Sequence, residues 1–138
     1  MRVVRAWDVT EPEGIGDVRR QMTHILTTAT ERYGHPADGR MDLGGLVELR
    51  NRVALSCSEL VTNALRHGRL PIEVRLLTDG SSWMLDVTDA ATERLPDPCP
   101  KRPLGQGGYG LMLVARLASQ LGWYVGDDSK HVWARIDV

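Results

Sequence analysis

The sequence predicts a two-layer α+β sandwich, with antiparallel strands in one layer and helices kept to one face of the sheet. Three observations lead there. Apolar residues recur at helical spacing in two long segments, Ile15 to Ala29 and Leu46 to Ala64. Two shorter segments alternate instead: Ile72, Val74 and Leu76, then Trp83, Leu85 and Val87. Between those two runs stands Asp79-Gly80, a hairpin signal. The resulting order is β, α, α, β, β, loop, α, β, β, with no repeat and no second domain, so residues 1–138 read as one domain.

Each element has its own signal. Val3 to Trp7 is a short first strand. Ile15, Val18, Met22, Ile25, Leu26 and Ala29 make an amphipathic helix ending near Tyr33-Gly34, with Pro36 just beyond and a loop from His35 to Arg40. Asp42 is the expected cap of a longer helix whose inward stripe is Leu46, Leu49, Val53, Cys57, Leu60 and Ala64, and His67-Gly68 is its stop. From Ala90 to Gly108 the chain is rich in Pro, Gly and charge and has no period, which marks a functional lid or a disordered stretch. Leu111, Val114, Leu117, Ala118 and Leu121 restore a helical stripe. Trp123 to Val125 and His131 to Val138 close the chain as a hairpin around residues 127–130.

Composition narrows the function classes. The formal net charge is −1, from 17 basic and 18 acidic residues, and no basic stripe is apparent, so direct nucleic-acid binding is not expected. The pairs Arg19-Arg20 and Lys101-Arg102 read as solvated surface. The two cysteines, Cys57 and Cys99, lack zinc spacing, and Cys57 reads as a small buried hydrophobe. No apolar run suggests a signal peptide or a membrane span, so a cytoplasmic protein is expected. His24 and His35 read as surface residues.

Three groups of residues carry chemistry. Arg52, Ser56, Glu59, Asn63 and His67 share one helix stripe, and Glu59 with Asn63 sets a carboxylate beside a carboxamide oxygen. That pair suits hydrated Mg²⁺, or the carboxylate could take a proton from a hydroxyl; a solvated helix face is the alternative. Asp89 continues the apolar face of Trp83, Leu85 and Val87, and a carboxylate there could accept a hydrogen bond from an adenine amino group or simply begin a turn. Gly105-Gln106-Gly107-Gly108-Tyr109-Gly110-Leu111 precedes a helix, as a phosphate cradle does, though a flexible linker also fits.

Taken together these segments resemble the ATPase superfamily shared by gyrase, the heat-shock chaperone, histidine kinases and the mismatch-repair ATPase. Glu59-Leu60-Val61-Thr62-Asn63-Ala64 with His67-Gly68 is similar to its N box. Asp89 after Leu85-Asp86-Val87-Thr88 is similar to its adenine-binding aspartate, and Gly108-Tyr109-Gly110-Leu111 to its second glycine box. Lys130-His131-Val132-Trp133 resembles its last strand. Within the superfamily the chain most resembles the stand-alone anti-sigma factor serine kinases of the actinobacterial type.

The resemblance implies a Bergerat, histidine-kinase-like ATPase fold with a mixed, mostly antiparallel sheet, and residues 90–108 as the ATP lid. It implies ATP and Mg²⁺ as cofactors. Asn63 would ligate the metal, with Glu59 reaching it through water and serving as general base. His67, Asp89, Gly105, Gly107, Gly108, Tyr109, Gly110 and Leu111 would complete the nucleotide site. The implied activity is serine phosphorylation of an anti-anti-sigma partner of the STAS type by a cytoplasmic homodimer that also holds a sigma factor. The alternatives are a non-catalytic module that sequesters a regulatory partner, or a detached histidine-kinase-type catalytic domain. Two departures stand out: Ala90-Ala91-Thr92-Glu93 replaces the family's Asp-x-Gly-x-Gly continuation, and His131 stands where a threonine near the nucleotide is common.

Overall fold

The computed structural model describes residues 1–33, 42–96 and 110–138. Eight elements follow in the order β1 (Arg2–Val9), α1 (Gly14–Tyr33), α2 (Leu43–His67), β2 (Ile72–Thr78), β3 (Ser82–Asp89), α3 (Gly110–Leu117), β4 (Gln120–Val125) and β5 (Lys130–Asp137). The strands form one sheet in the order β1-β2-β3-β5-β4. All four pairings among the described residues are antiparallel. The expected two-layer α+β sandwich is present, with helices on one side of the sheet.

The core follows from strand parity. Ile72, Val74 and Leu76 of β2, Trp83, Leu85 and Val87 of β3, and Val132, Ala134 and Ile136 of β5 all point to the helical layer and are buried. Against them α2 lays Leu49, Val53, Cys57, Leu60 and Ala64, each buried, as its apolar stripe required. Complete burial of one such aliphatic side chain is worth about 1.5–3 kcal/mol, so this seam dominates the packing. From α1 come Val18, Met22 and Leu26, and from α3 Leu111 and Val114.

The ends of α2 have different causes. At its start the Asp42 carboxylate accepts the Gly45 N–H at 2.7 Å, as expected of the cap. At its end α2 stops at His67-Gly68, as expected, with the Gly68 backbone extended at φ −97° and ψ −162° and not left-handed. Its lack of a side chain serves space instead. A Cβ there would lie 2.5 Å from the Ala64 carbonyl oxygen and 2.5 Å from Asp89 Cγ.

One boundary differs from the sequence expectation, and one turn is built differently from its signal. Leu121 belongs to β4, because α3 ends at Leu117 and Ser119 N–H already donates to the Arg135 carbonyl at 2.7 Å. The Asp79-Gly80 turn is present, and Gly80 takes φ +94°, but Asp79 organises it through its side chain, accepting from the N–H groups of Ser81 and Ser82 at 2.9 and 2.8 Å. Those donors hold its carboxyl well below the usual carboxylate range. The loop from His35 to Arg40, Cys99 and Lys101-Arg102 lie outside the described residues.

The outer face of the sheet carries a polar ladder. Arg75 on β2 pairs with Asp86 on β3, and the hydrogen bond to Asp86 raises the guanidinium further above its ordinary value. His131 Nδ1 on β5 lies 3.1 Å from the Asp86 carboxylate, and its ring stacks on Tyr124 of β4 at 4.2 Å between centroids.

Burial pushes the Cys57 thiol from 9.0 up to about 12, partly offset by the charge of Arg19. The thiol therefore stays neutral at physiological pH and is no nucleophile. A folded value above the unfolded one gives a stabilising contribution that is complete below about pH 9 and fades as pH rises toward about 12. In a Cys99→Ala background, Ellman's reagent should titrate no thiol at neutral pH until urea is added. The unfolding midpoint should fall more steeply with pH above about 9 than in the same chain carrying Cys57→Ala.

Candidate functional site

Helix α2 is the wall on which the site is built. Its polar stripe is not a solvated face. Ser56 is fully buried, and Glu59, Asn63 and His67 are half-buried. Arg52 donates from Nε to the Leu117 carbonyl at 2.7 Å, tying α2 to the end of α3.

Two contacts bracket the part of the stripe from Glu59 to His67. Gly110, the first residue of α3, rests on the Glu59 carboxylate so closely that a Cβ there would collide with Oε2. A carboxylate beside a helix N-terminus is favoured by the unpaired N–H groups and the macrodipole, and α3 has no acidic residue in its own first turn. At the other end Gly68 abuts Asp89. Nine residues at 1.5 Å per residue separate Glu59 from Gly68, about 13 Å along the helix. Asn63 lies between, one turn from Glu59. The glycine-box helix and the strand-end aspartate thus meet the same helix about two and a half turns apart.

Asp89 is only 2 % exposed, as is Lys130, its register partner on β5. Lys130 Nζ lies 3.4 Å from Asp89 Oδ2 and donates to the Arg94 carbonyl at 2.5 Å. The other oxygen, Oδ1, accepts the Ala91 N–H at 2.7 Å. A buried carboxylate is tolerated because these groups compensate its charge. Each carboxylate oxygen offers two lone pairs, so acceptor capacity remains on both.

The segment after Asp89 is braced on several sides. Ala90 N–H donates to the Arg69 carbonyl at 2.8 Å, Ala91 is fully buried, and Arg94 Nη1 lies 3.5 Å from the His67 carbonyl. Arg69 and Glu93 pair at 2.5 Å between exposed side chains. The Glu93 carboxyl is lowered first by its own backbone N–H and then by Arg69. Ala90 and Ala91 fit here because the turn is closed by the aspartate side chain and neither residue needs positive φ.

Of the residues expected in the site, Glu59, Asn63, His67, Asp89 and Gly110 are distributed along this one wall. Gly105, Gly107, Gly108 and Tyr109 lie outside the described residues. The Leu111 side chain is buried in the core, so its backbone is what it can offer a ligand. One expectation is corrected. His131 does not face the site: it pairs with Thr88, not Asp89, and points to the outer face toward Asp86. Lys130 occupies the inward position instead. The signal was available, since Val132, Ala134 and Ile136 face the core and parity puts residue 130 on their side.

Residues 12–136 match the family model for a histidine kinase-like ATPase domain, and the chain belongs to that family. It is therefore an ATP-binding, kinase-like module by class. No curated protein matches the chain.

Replacing Lys130 with Met should be strongly destabilising, by about 3–5 kcal/mol in urea unfolding, because the Asp89 charge would stay buried without its partner. Adding Asp89→Asn to that variant should recover part of the loss. His131→Thr should leave the Asp89 environment unchanged. Gly68→Ala should cost about 1–3 kcal/mol, the scale of forcing an extra carbon into packed space.

Proposed function

We propose that the chain is an ATP-dependent serine protein kinase that also acts as an anti-sigma factor. The observation that carries this reading is the position of Glu59: a half-buried carboxylate at the junction of α2 and α3, one helical turn from Asn63. A carboxylate in that position is available as a general base beside the metal-binding carboxamide.

The residues fit ATP and Mg²⁺. Glycines at 68 and 110 let the Asp89 and Glu59 carboxylates lie directly against the backbone, and Glu59 with Asn63 is an oxygen donor set suited to a hard cation. Asn63 would hold the metal, and Glu59 would reach it through water. Asp89 would accept from the adenine amino group. Gly105, Gly107, Gly108, Tyr109 and Gly110, within a lid spanning 90–108 and its junction with α3, would wrap the phosphates through their N–H groups, with His67 and the Leu111 backbone at the margins. Bound ATP and Mg²⁺ would supply the phosphoryl group and neutralise its charge. Glu59 would take the proton from the attacking serine hydroxyl of the partner. That partner would be an anti-anti-sigma protein of the STAS type, and the unphosphorylated partner would compete with a sigma factor for a cytoplasmic homodimer of this chain.

One observation favours a second reading, a module that sequesters its partner without turnover. Asp89 is 2 % exposed and already paired with Lys130, so an adenine must be admitted past the braced segment 90–96. On the kinase reading ATP with Mg²⁺ raises the thermal midpoint, because a ligand that binds only the native state stabilises it, and label passes to a partner serine. On the sequestering reading partner binding is tight, ATP does not modulate it, and no label is transferred.

Asp89→Asn should weaken ATP binding by about 1.5–3 kcal/mol, roughly ten- to a hundredfold, as measured by calorimetry. Glu59→Ala should keep most of the ATP affinity and lose transfer of label to a partner serine. Equal loss of both would make Glu59 structural, and acid-labile label on histidine would point to the histidine-kinase chemistry instead.

A further inference from the structure

We propose that the groove between α1 and α2 is a second binding site, independent of the nucleotide wall, for a small multivalent oxyanion such as an organic phosphate. The groove encloses about 460 Å³, within the usual range for small-molecule sites. Its walls come from two matching helical stripes. Arg19, Arg20 and Thr23 project from α1, and Arg50 and Asn51 from α2. Gly16 and Ala54, one turn away on each helix, have little side chain to fill the space between.

The charge of this groove is one-sided. Three arginines line it and, among the described residues, no carboxylate does, in a chain whose formal charge is −1. Arg20 is held in part by Asp17, 3.4 Å away and on the exposed side of the helix. Arg19 and Arg50 are half-buried and have no ion-pair partner among the described residues. The pair Arg19-Arg20, expected as solvated surface, is thus divided. Successive residues differ by 100° around a helix, which turns Arg19 toward the seam with α2 and leaves Arg20 on the rim.

Guanidinium groups select the ligand. Their planar forks bind phosphate and carboxylate oxygens two at a time, and three around one concavity match a group with several oxygens. Asn51 adds a donor amide. Thr23 already spends its hydroxyl hydrogen on the Arg20 carbonyl at 2.9 Å, so it offers lone pairs and a methyl group. Val47 and Ala54 add apolar wall for the organic part of the ligand. Nucleic acid is disfavoured by size: the basic surface is one short groove between two helices, not a stripe that could track a phosphate backbone.

The test is calorimetric titration of the full chain with inorganic pyrophosphate, at ionic strength held constant with potassium chloride so that general screening is the same throughout. The wild-type chain should bind, and Arg19→Gln/Arg50→Gln should weaken binding roughly ten- to a hundredfold. Since metal-free pyrophosphate in the nucleotide cleft would be held where Gly110 meets Glu59, the Gly110→Ala chain should bind as the wild type does. Should the double variant not fold, Arg50→Gln alone carries the comparison. Equal affinity in the arginine variants, or no binding beyond the chloride background, overturns the proposal. Loss of binding in the Gly110→Ala chain with retention in the arginine variants also overturns it, since the anion would then sit in the nucleotide cleft. Because the arginines lie outside the nucleotide wall, failure here leaves the kinase reading untouched.

Discussion

A buried carboxylate at the end of an apolar strand face is the constraint around which this molecule is arranged. Trp83, Leu85 and Val87 carry β3 through the core, and the next residue on that face is Asp89. An uncompensated charge in that position would cost several kcal/mol. The fold answers with the β3–β5 register, which puts Lys130 directly opposite. Lys130 in turn holds the Arg94 carbonyl, so the compensation of one charge also anchors the segment that leads out of the sheet. The close approach of Gly68 follows from the same requirement, because a carboxylate packed this tightly leaves no room for a β-carbon on α2.

Helix α2 converts that local arrangement into a site. One of its stripes is the core seam over β2, β3 and β5. The other meets α3 near one end and Asp89 near the other. A 25-residue helix is rigid at this scale, so the separation between the two contacts is set by helical rise and not by loops. The chain leaves the sheet at Asp89 and enters α3 at Gly110, and both points rest against this one wall. A glycine stands at each attachment, Gly68 against Asp89 and Gly110 against Glu59, and in both the reason is proximity to a carboxylate. Neither described glycine is in the left-handed region.

Much of this was legible in the sequence, and the reasons are physical. Both long helices, the β2–β3 hairpin and the inward face of β3 follow from apolar periods that tertiary packing had no cause to override. The Asp42 cap was readable because a short acceptor just before an apolar stripe has few other uses. What was not legible depends on pairing across the chain. The role of Gly68 could not be told from its position after a helix, since a glycine stop and a glycine of close approach look alike. Leu121 continued a helical period yet belongs to β4, because pairing with β5 claims the backbone from Ser119 onward. His131 was placed near the site by resemblance, and parity from Val132 would have moved it to the outer face.

The missing glycines after Asp89 are explained by the same parity. In a loop that must bring backbone to a ligand, Gly-x-Gly removes side chains from the approach. Here the turn after Asp89 is made by the aspartate itself, with Oδ1 on the Ala91 N–H, and the small, fully buried Ala91 packs beneath it. Alanine suits such a turn, as its conformation is ordinary and its methyl group fills space that glycine would leave empty. Lys130 completes the exchange, bracing from β5 a segment that glycines would have left loose. The alanines of the turn and the lysine on β5 thus serve one end: together they give Asp89 a stiff, charge-compensated setting.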